Sequence, residues 1–286
     1  MVSDTDIGTT RKEKRLLAVV LGCLIVGVIS SPLLPRISLD TALADGIVRL
    51  TDTANWGQMT PITVVVIAIL ITRPGLPGRS RIGEAASLSL VMLIALAGNA
   101  LLNEQIIKPA FGVPRPNIVF LAETGVLGPD LPDAAAFYAS GDKQARRTVL
   151  GDRLTEQTTP QLSSRVRAHW IHETGYAFPS GHTTAAVTFA VLLAAIALHW
   201  LSGWRRIAML YLVPTWAIAV AGSRTLLEVH TGWDVVGGAV AGLAWGGLAF
   251  SLVYQSLSVT AQYRRAPREA PTSGSRLQTQ RPSDRR

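Results

Sequence analysis

Hydrophobic runs of membrane-spanning length recur along the chain, separated by shorter polar stretches. A helix needs roughly 20 apolar residues to cross a bilayer. Pro61 and Pro214 interrupt two of the runs, but membrane helices tolerate proline where neighbouring groups satisfy the freed carbonyl. The pattern predicts an all-α fold, a polytopic bundle of six transmembrane helices. The six runs are residues 16–34, 55–72, 85–107, 183–201, 207–222 and 233–254.

The first run has the basic start of a secretory signal peptide, and Ala42 and Ala44 form an Ala-x-Ala pattern after it. However, this pattern lies well beyond the run, and the run is long for a signal peptide. We therefore expect a retained helix rather than a cleaved one. Cys23, the single cysteine, lies inside this run, which excludes an intrachain disulfide and a zinc–cysteine cluster.

The composition supports lipid exposure, because 48% of the residues are hydrophobic and only 16% are charged. Soluble domains carry about 25% charged residues. The net charge of +8 could indicate nucleic acid, but many basic residues lie at the ends of apolar runs and in the C-terminal tail. We therefore expect membrane lipids as partners and no nucleic acid. The oligomeric state stays open.

Basic residues also predict the orientation of the bundle. Arg73, Arg79 and Arg81 lie between the second and third runs, and Arg205 and Arg206 between the fourth and fifth. Short loops rich in Lys and Arg face the cytoplasm. This predicts a multi-pass protein of the cell membrane with both termini cytoplasmic and the remaining loops on the periplasmic or extracellular face.

The polar segments define the predicted domain organisation. Residues 1–15 are predicted to be a cytoplasmic arm, and residues 16–262 the membrane domain. Within that domain, a cap at about 117–178 lies outside the membrane between the third and fourth helices. Residues 263–286 are rich in Arg, Ser, Pro and Gln, which predicts a disordered basic cytoplasmic tail.

Two further patterns concern packing and the membrane interface. Small residues recur every four positions in the sixth run, which permits close helix contact; they are Gly238, Gly242 and Gly246. Aromatic residues are enriched at membrane–water interfaces. The residues expected in such a belt are Trp170, Tyr176 and Trp233.

Three polar clusters lie at the ends of apolar runs, and all three fall on the predicted outer side. The first is Lys108 with Arg115-Pro116, the second is Pro179-Ser180-Gly181-His182, and the third is Ser223-Arg224 with His230 and Asp234. Arginine offers a fork of donors suited to phosphate, and lysine offers a point charge. The free N–H groups where the fourth helix begins, at Ser180 and Gly181, favour an anion. The clusters therefore predict an oxyanion site.

The histidines supply the reactive groups that the cations lack. His230 and Asp234 are four residues apart, so on a helical turn they share one face. A carboxylate bonded to one ring nitrogen would leave the other nitrogen free to attack. His182, at the start of another helix, is placed to protonate a leaving oxygen. These groups would suffice for phosphoryl transfer without a metal or another cofactor.

The three clusters resemble the signature motifs of the type 2 phosphatidic acid phosphatase family. They match Lys-x6-Arg-Pro, Pro-Ser-Gly-His and Ser-Arg-x5-His-x3-Asp, in that order, over residues 108–234. The resemblance implies a six-helix bundle and a phosphohistidine on His230, oriented by Asp234, with His182 as the acid and then the base. It also implies which residues hold the phosphate: Lys108, Arg115, Ser180, Gly181, His182 and Arg224.

Two pairs of residues beside the motifs are weaker candidates. His172 and Glu173 could contact a head group, and Asn103 and Glu104 could orient Lys108.

The function expected from the resemblance is hydrolysis of a lipid phosphomonoester or diphosphate. Candidate substrates are polyprenyl pyrophosphate, phosphatidic acid and phosphatidylglycerophosphate. One alternative is a phosphotransferase, in which a second hydroxyl replaces water. Another is a non-catalytic scaffold or transporter that keeps the fold, although a transporter should place its ionisable groups at mid-membrane depth.

Overall fold

Helices form the regular structure of the computed structural model, which describes residues 11–156 and 160–265. No strand occurs within those ranges, so the predicted all-α class is confirmed. In chain order the helices are α1 (Arg11–Ser30), α2 (Ala42–Asp52), α3 (Trp56–Ile71), α4 (Gly78–Phe111), α5 (Pro116–Glu123), α6 (Ala134–Ala139), α7 (Lys143–Glu156), α8 (Ser164–His172), α9 (Gly181–Trp200), α10 (Gly203–Leu226) and α11 (Gly232–Arg265). Most of the predicted arm (1–15) and tail (263–286) lies outside the described residues, and both stay predictions.

Five of the described helices are long and apolar enough to cross a membrane: α1, α4, α9, α10 and α11. They correspond to five of the six predicted runs. The remaining run corresponds to α3, which has only 16 residues. Helices α2 and α3 are long enough to form a sixth span only if they are counted together. The chain is therefore a polytopic helical bundle with five or six candidate spans.

The pair α2–α3 is bent by 61° between Asp52 and Trp56, and sequence analysis did not predict α2. Thr41 caps this helix by accepting a hydrogen bond from the Ala44 amide at 3.3 Å. Its buried residues Ala44, Val48 and Thr51 recur at helical spacing, so α2 is amphipathic. The bend lets α2 pack against α10 and α8 while α3 packs against α4.

Helix α9 lies at the centre of the bundle. Of its apolar 18-residue stretch, 83% is buried, whereas the corresponding share in the other four spans is 22–44%. Helix α11 packs closely on it through the predicted glycine stripe. A Cβ on Gly242 would lie 2.7 Å from Val187 Cβ, and one on Gly246 would lie 2.6 Å from Val191 Cβ. Only glycine therefore allows this approach, which sets the position of the first turn of α11 relative to α9.

The segment between α4 and α9 forms a small helical layer with its own apolar core. Helices α5 to α8 and α2 contribute buried residues that include Ile118, Phe137, Leu150 and Trp170. Trp170 is fully buried, and its Nε1 donates to the Leu227 carbonyl at 2.9 Å. Its assignment to an interfacial belt was therefore wrong, because the indole packs inside this layer. Trp233 is 80% exposed, as a belt residue would be.

Candidate active site

The three sequence clusters meet at one end of the bundle, here called the site end. Lys108 lies near the end of α4. Gly181 is the first residue of α9, and Asp234 lies in the first turn of α11. Arg115 precedes α5, and Arg224 lies in the last turn of α10. The basic residues of the predicted inner loops lie at the opposite end, where Arg73 pairs with Glu84. The long helices thus gather residues that are far apart in the sequence.

A cavity of about 190 Å³ opens at the site end. Five predicted site residues line it: Lys108, Arg115, Gly181, His182 and His230. The other three, Ser180, Arg224 and Asp234, lie behind this surface, each at most 1% exposed. The predicted residues therefore form two groups, one in contact with the cavity and one that supports it.

His230 lies in the short loop between α10 and α11. The loop turns at Glu228, whose φ of 57° is unusual for a residue with a side chain, and the His230 amide donates to the Arg224 carbonyl at 3.2 Å. The imidazole Nε2 lies 3.0 Å from Arg115 Nη1. A guanidinium can only donate, so Nε2 accepts and a neutral ring carries its proton on Nδ1. Burial, with Arg115 and Arg224 nearby, holds the pKa of His230 well below its usual value, which keeps the ring neutral.

Asp234 faces His230 but does not hydrogen-bond it as predicted. The distance from Asp234 Oδ2 to His230 Nδ1 is 3.6 Å, beyond a normal hydrogen bond. That oxygen instead accepts from the Thr231 amide at 2.7 Å and from the Thr231 hydroxyl at 3.0 Å. The Asp234 amide donates back to Thr231 Oγ1 at 3.4 Å, which completes the reciprocal arrangement of a helix capping box. The carboxylate is therefore fixed by its own helix start, with His230 Nδ1 as its nearest imidazole atom.

The start of α9 supplies backbone amides beside Lys108. Ser180 occupies the N-cap position, and its amide donates to the Asp234 carbonyl at 2.9 Å, which ties α9 to α11. The Ser180 hydroxyl accepts from Thr183 Oγ1 at 3.0 Å, and Ser180 is fully buried and does not line the cavity. A Cβ on Gly181 would lie 3.9 Å from Lys108 Nζ. Gly181 therefore leaves the helix start open towards the lysine.

Glu104 holds Lys108 in position, which is the role that the sequence suggests for residues 103 and 104. Its Oε1 pairs with Lys108 Nζ one helical turn away, and its Oε2 pairs at 2.9 Å with Lys143 Nζ from the cap. Asn103 bonds Asn99 instead, at 3.3 Å. Glu104 thus links the membrane helix α4 to the cap helix α7.

Glu173 pairs with two site cations, a position that the sequence did not predict. It was considered only for head-group contact, but it is 7% exposed and bridges two cations. Its Oε2 lies 2.6 Å from Arg115 Nη2, and its Oε1 lies 2.8 Å from Arg224 Nη2. Burial alone would raise the pKa of Glu173, but Arg115 and Arg224 hold it well below the ordinary value. The only sequence signal was an acidic residue close to the Pro-Ser-Gly-His motif.

Arg224 does not line the cavity, in contrast to the expectation that it holds phosphate. Its guanidinium donates to Thr51 Oγ1 at 2.8 Å and to Glu173, and it lies 3.2 Å from His169 Nε2. A fully buried cation needs such partners. Of these three partners of Arg224, Glu173 is the one that lines the cavity.

His182 lies at the cavity wall between two polar partners. Its Nε2 is 2.6 Å from Asn55 Oδ1, and its Nδ1 is 3.9 Å from Glu173 Oε1. Its neighbour in the chain, Gly181, lines the same cavity. The two histidines, the two cations and the helix start therefore surround one small volume.

The chain is similar in sequence to known proteins. Residues 85–258 match the model of the PAP2 superfamily, more than half of the chain. The chain belongs to the PAP2 superfamily. It is also 33% identical over 151 residues to phosphatidylglycerophosphatase B from two strains of Escherichia coli and from Shigella flexneri. This match covers 52% of the chain and 55% of each relative, so the chain spans about half the length of the curated relatives it matches.

The PAP2 match includes all eight predicted site residues, from Lys108 to Asp234. It also includes Glu173. Helices α1 to α3 lie before the matched range, although α3 supplies Trp56 and Met59 to the cavity. The PAP2 segment therefore carries the charged groups, and the preceding helices complete one wall.

Proposed function

We propose that this membrane protein is a lipid phosphate phosphatase that transfers the phosphoryl group to His230 and then to water. The observation that carries the proposal is the position of His230 Nε2 beside Arg115 in a cavity that Lys108 and His182 also line. A nucleophile, a proton donor and two cations are the groups that phosphoryl transfer requires. Hydrolysis without a metal stays a prediction.

His230 is suited to attack because its Nε2 is unprotonated, and its lone pair becomes free when Arg115 Nη1 turns from it to a phosphoryl oxygen. Asp234, 3.6 Å from Nδ1, stabilises the positive charge that develops on the ring as Nε2 bonds to phosphorus. The depressed pKa of His230 keeps the ring neutral at neutral pH. Ser180 is not the nucleophile in this proposal, because its hydroxyl bonds Thr183.

Lys108, Arg115 and the amides at Gly181 would bind the phosphoryl oxygens. A phosphate at Arg115 competes with Glu173, since the Glu173 carboxylate bonds Arg115 Nη2 at 2.6 Å. Arg224, held 2.8 Å from the same carboxylate, would keep Glu173 ionised and in position. We therefore assign Arg224 an indirect part in phosphate binding.

A lipid substrate is supported by an apolar cleft that joins the cavity. The cleft has a volume of about 390 Å³ and lies between α3 and α4. Trp56, Met59 and Leu96 line both the cleft and the site cavity. A phosphate in the cavity could therefore carry its hydrocarbon chain sideways into the membrane. The relatives are named for phosphatidylglycerophosphate, which is a reason to test that lipid first.

Release of inorganic phosphate from a lipid panel tests this function. The purified full chain in detergent should hydrolyse phosphatidylglycerophosphate, phosphatidic acid or a polyprenyl diphosphate, and a chelator should not stop it. His230→Ala is the control for contaminating phosphatases. Release of the free alcohol without inorganic phosphate, in the presence of a second alcohol, would instead indicate a phosphotransferase. No turnover of any panel member would contradict the proposal.

We also propose that the site end faces the periplasm or cell exterior. The support is the basic character of the opposite end, with Arg79, Arg81, Arg205 and Arg206. In a Cys23→Ser background, Gln161→Cys in the cap should react with an impermeant thiol reagent added to intact cells. Ser202→Cys, between α9 and α10, should react only after permeabilisation, and the reverse pattern would overturn this orientation.

A further inference from the structure

His182 is held by a residue that belongs to none of the three motifs. We propose that Asn55 is a positioning residue that fixes the imidazole of His182 with its Nε2–H bonded to the amide oxygen. Nδ1 then becomes the atom that exchanges a proton with the leaving oxygen and with water. This inference rests on the proposed function and adds a residue from outside the PAP2 match to it.

At the backbone position of Asn55, an asparagine side chain ordinarily caps its own helix. Asn55 is the N-cap residue of α3, with φ −74° and ψ 152°. Asparagine at this position usually accepts a hydrogen bond from a first-turn amide. The Asn55 side chain makes no such bond, and the Met59 amide instead donates to the Asn55 carbonyl at 2.8 Å. The amide group is directed away from its own helix, towards His182.

Two contacts fix the orientation of the Asn55 amide. Its Nδ2 donates to Asp52 Oδ1 at 2.9 Å, and its Oδ1 lies 2.6 Å from His182 Nε2. The Asp52 side chain is 36% exposed, so water also solvates its carboxylate, which accepts hydrogen bonds only. The NH₂ group must therefore face Asp52 and the oxygen must face His182. It follows that Nε2 of His182 is a donor.

The remaining ring nitrogen, Nδ1, is then the one available for chemistry. It lies 3.9 Å from Glu173 Oε1, a carboxylate that can pair with the ring while Nδ1 carries a proton. As His230 Nε2 bonds to phosphorus and the P–O bond to the lipid breaks, Nδ1 gives its proton to the departing oxygen. Water then attacks phosphorus, gives a proton to Nδ1 and breaks the P–N bond. His182 is protonated again at the end of the cycle, and Nε2 keeps its proton throughout.

The bent pair α2–α3 explains why Asn55 can reach this position. The bend of 61° occurs at residues 53–55, and Thr53 stabilises it, since Trp216 Nε1 donates to Thr53 Oγ1 at 2.7 Å. Asn55 also lines the site cavity together with Trp56. The segment that carries the positioning residue thus also forms the junction between the cavity and the apolar cleft.

The test compares two substrates that differ in how much their leaving oxygen needs a proton. Wild type, Asn55→Ala, Asn55→Asp/Asp52→Asn, His182→Ala and Asn55→Ala/His182→Ala are assayed on phosphatidic acid and on an aryl phosphate. Asn55→Ala should lose about tenfold or more on the lipid and clearly less on the aryl ester, as a fraction of the full acid–base effect. Asn55→Asp is combined with Asp52→Asn, so that an acceptor oxygen still faces His182 and a donor still lies beside it, and this variant should recover activity on the lipid relative to Asn55→Ala. Thr53→Val alters the same bend without contacting His182 and should not change the ratio of the two activities.

The Asn55→Ala/His182→Ala variant separates positioning from a general loss of structure. If Asn55 acts through His182, this variant should be no worse than His182→Ala alone. Equal losses of Asn55→Ala on both substrates, or losses that add to those of His182→Ala, would overturn the inference while wild-type activity still supported the proposed function. A wild type that releases phosphate neither from these two substrates nor from any other member of the lipid panel would overturn both.

Discussion

The protein has two buried layers that are held together in different ways. In the apolar layer, α9 and α11 meet through Gly242 and Gly246 at distances that exclude a Cβ. The charged layer lies at the site end and consists of Arg115, Glu173 and Arg224 with the histidines around them. Both guanidinium groups are buried, and both pair with the Glu173 carboxylate. Shape specifies the first layer and charge pairing specifies the second. Substitutions in the apolar layer should therefore change stability, whereas substitutions in the charged layer should change stability, catalytic turnover or both.

Among variants that keep the nucleophile His230, the largest expected effect comes from His182, at the same end of the molecule. His182→Ala should reduce turnover of a lipid monoester roughly 10²- to 10⁴-fold, because it removes the group that protonates the leaving oxygen. An aryl phosphate has a better leaving group and should lose less. Turnover of both substrates by the variant, with its melting temperature as a check on folding, measures this. Equal losses on the two substrates would mean that His182 is not the acid.

The next effect concerns the stability of the same layer. Glu173→Ala leaves two buried guanidinium groups without their shared counter-ion, and breaking such a pair costs about 3–5 kcal/mol. Thermal unfolding in detergent should therefore shift strongly downward. Asp130→Ala is the matched control, since its pair with Arg153 in the cap is exposed and such pairs contribute only about 0–1 kcal/mol. Similar shifts for the two variants would contradict the importance of pairing in the charged layer.

A smaller effect is expected in the apolar layer. The Cβ of Gly242→Ala would lie 2.7 Å from Val187 Cβ and 2.9 Å from the Thr184 carbonyl oxygen, so α11 must shift, at about 1–3 kcal/mol. Gly247→Ala, on the same helix with nothing within 4 Å, should be neutral or slightly stabilising. Melting temperatures of the two variants make the comparison. A Gly242→Ala protein as stable as the control would show that the close contact is not required.

The smallest effect is a dependence of stability on pH that arises in the charged layer. Burial, with Arg224 nearby, lowers the pKa of His169 to about 3. The folded state therefore keeps His169 neutral while the unfolded state binds a proton below its ordinary pKa of 6.5. The stability this provides is complete above pH 6.5 and falls as the pH is lowered, by about 1.4 kcal/mol per pH unit. His169→Gln should reduce the slope of melting temperature between pH 7 and 5, and an unchanged slope would exclude His169 as its source.

The sequence predicted the apolar layer better than the charged one, for a physical reason. Spans such as α9 and the glycine stripe of α11 are local patterns, visible as composition and spacing along one segment. Helix α2 was missed because its 11 residues are amphipathic and too short to span a membrane. The glycines predicted contact without naming the partner helix, and the fold supplied it.

For the charged layer, the sequence predicted most of the residues but not how their charges pair. The motifs located Lys108, Arg115, His182 and His230 at one cavity, because each adjoins the end of a long apolar run. They did not predict that Arg224 would turn from the cavity to Glu173, since charge pairing depends on how separate helices meet. Nor did they include Asn55, which lies more than a hundred residues from the histidine it contacts.

Trapping of a phosphoenzyme tests the central claim most directly. The full chain, mixed with a radiolabelled aryl phosphate and quenched with alkali, should carry an alkali-stable, acid-labile label that maps to His230. His182→Ala should accumulate more of this label than wild type, because the base that activates water is missing, and His230→Ala should carry none. A label that persists in His230→Ala, or that maps to another residue, would contradict the proposed mechanism.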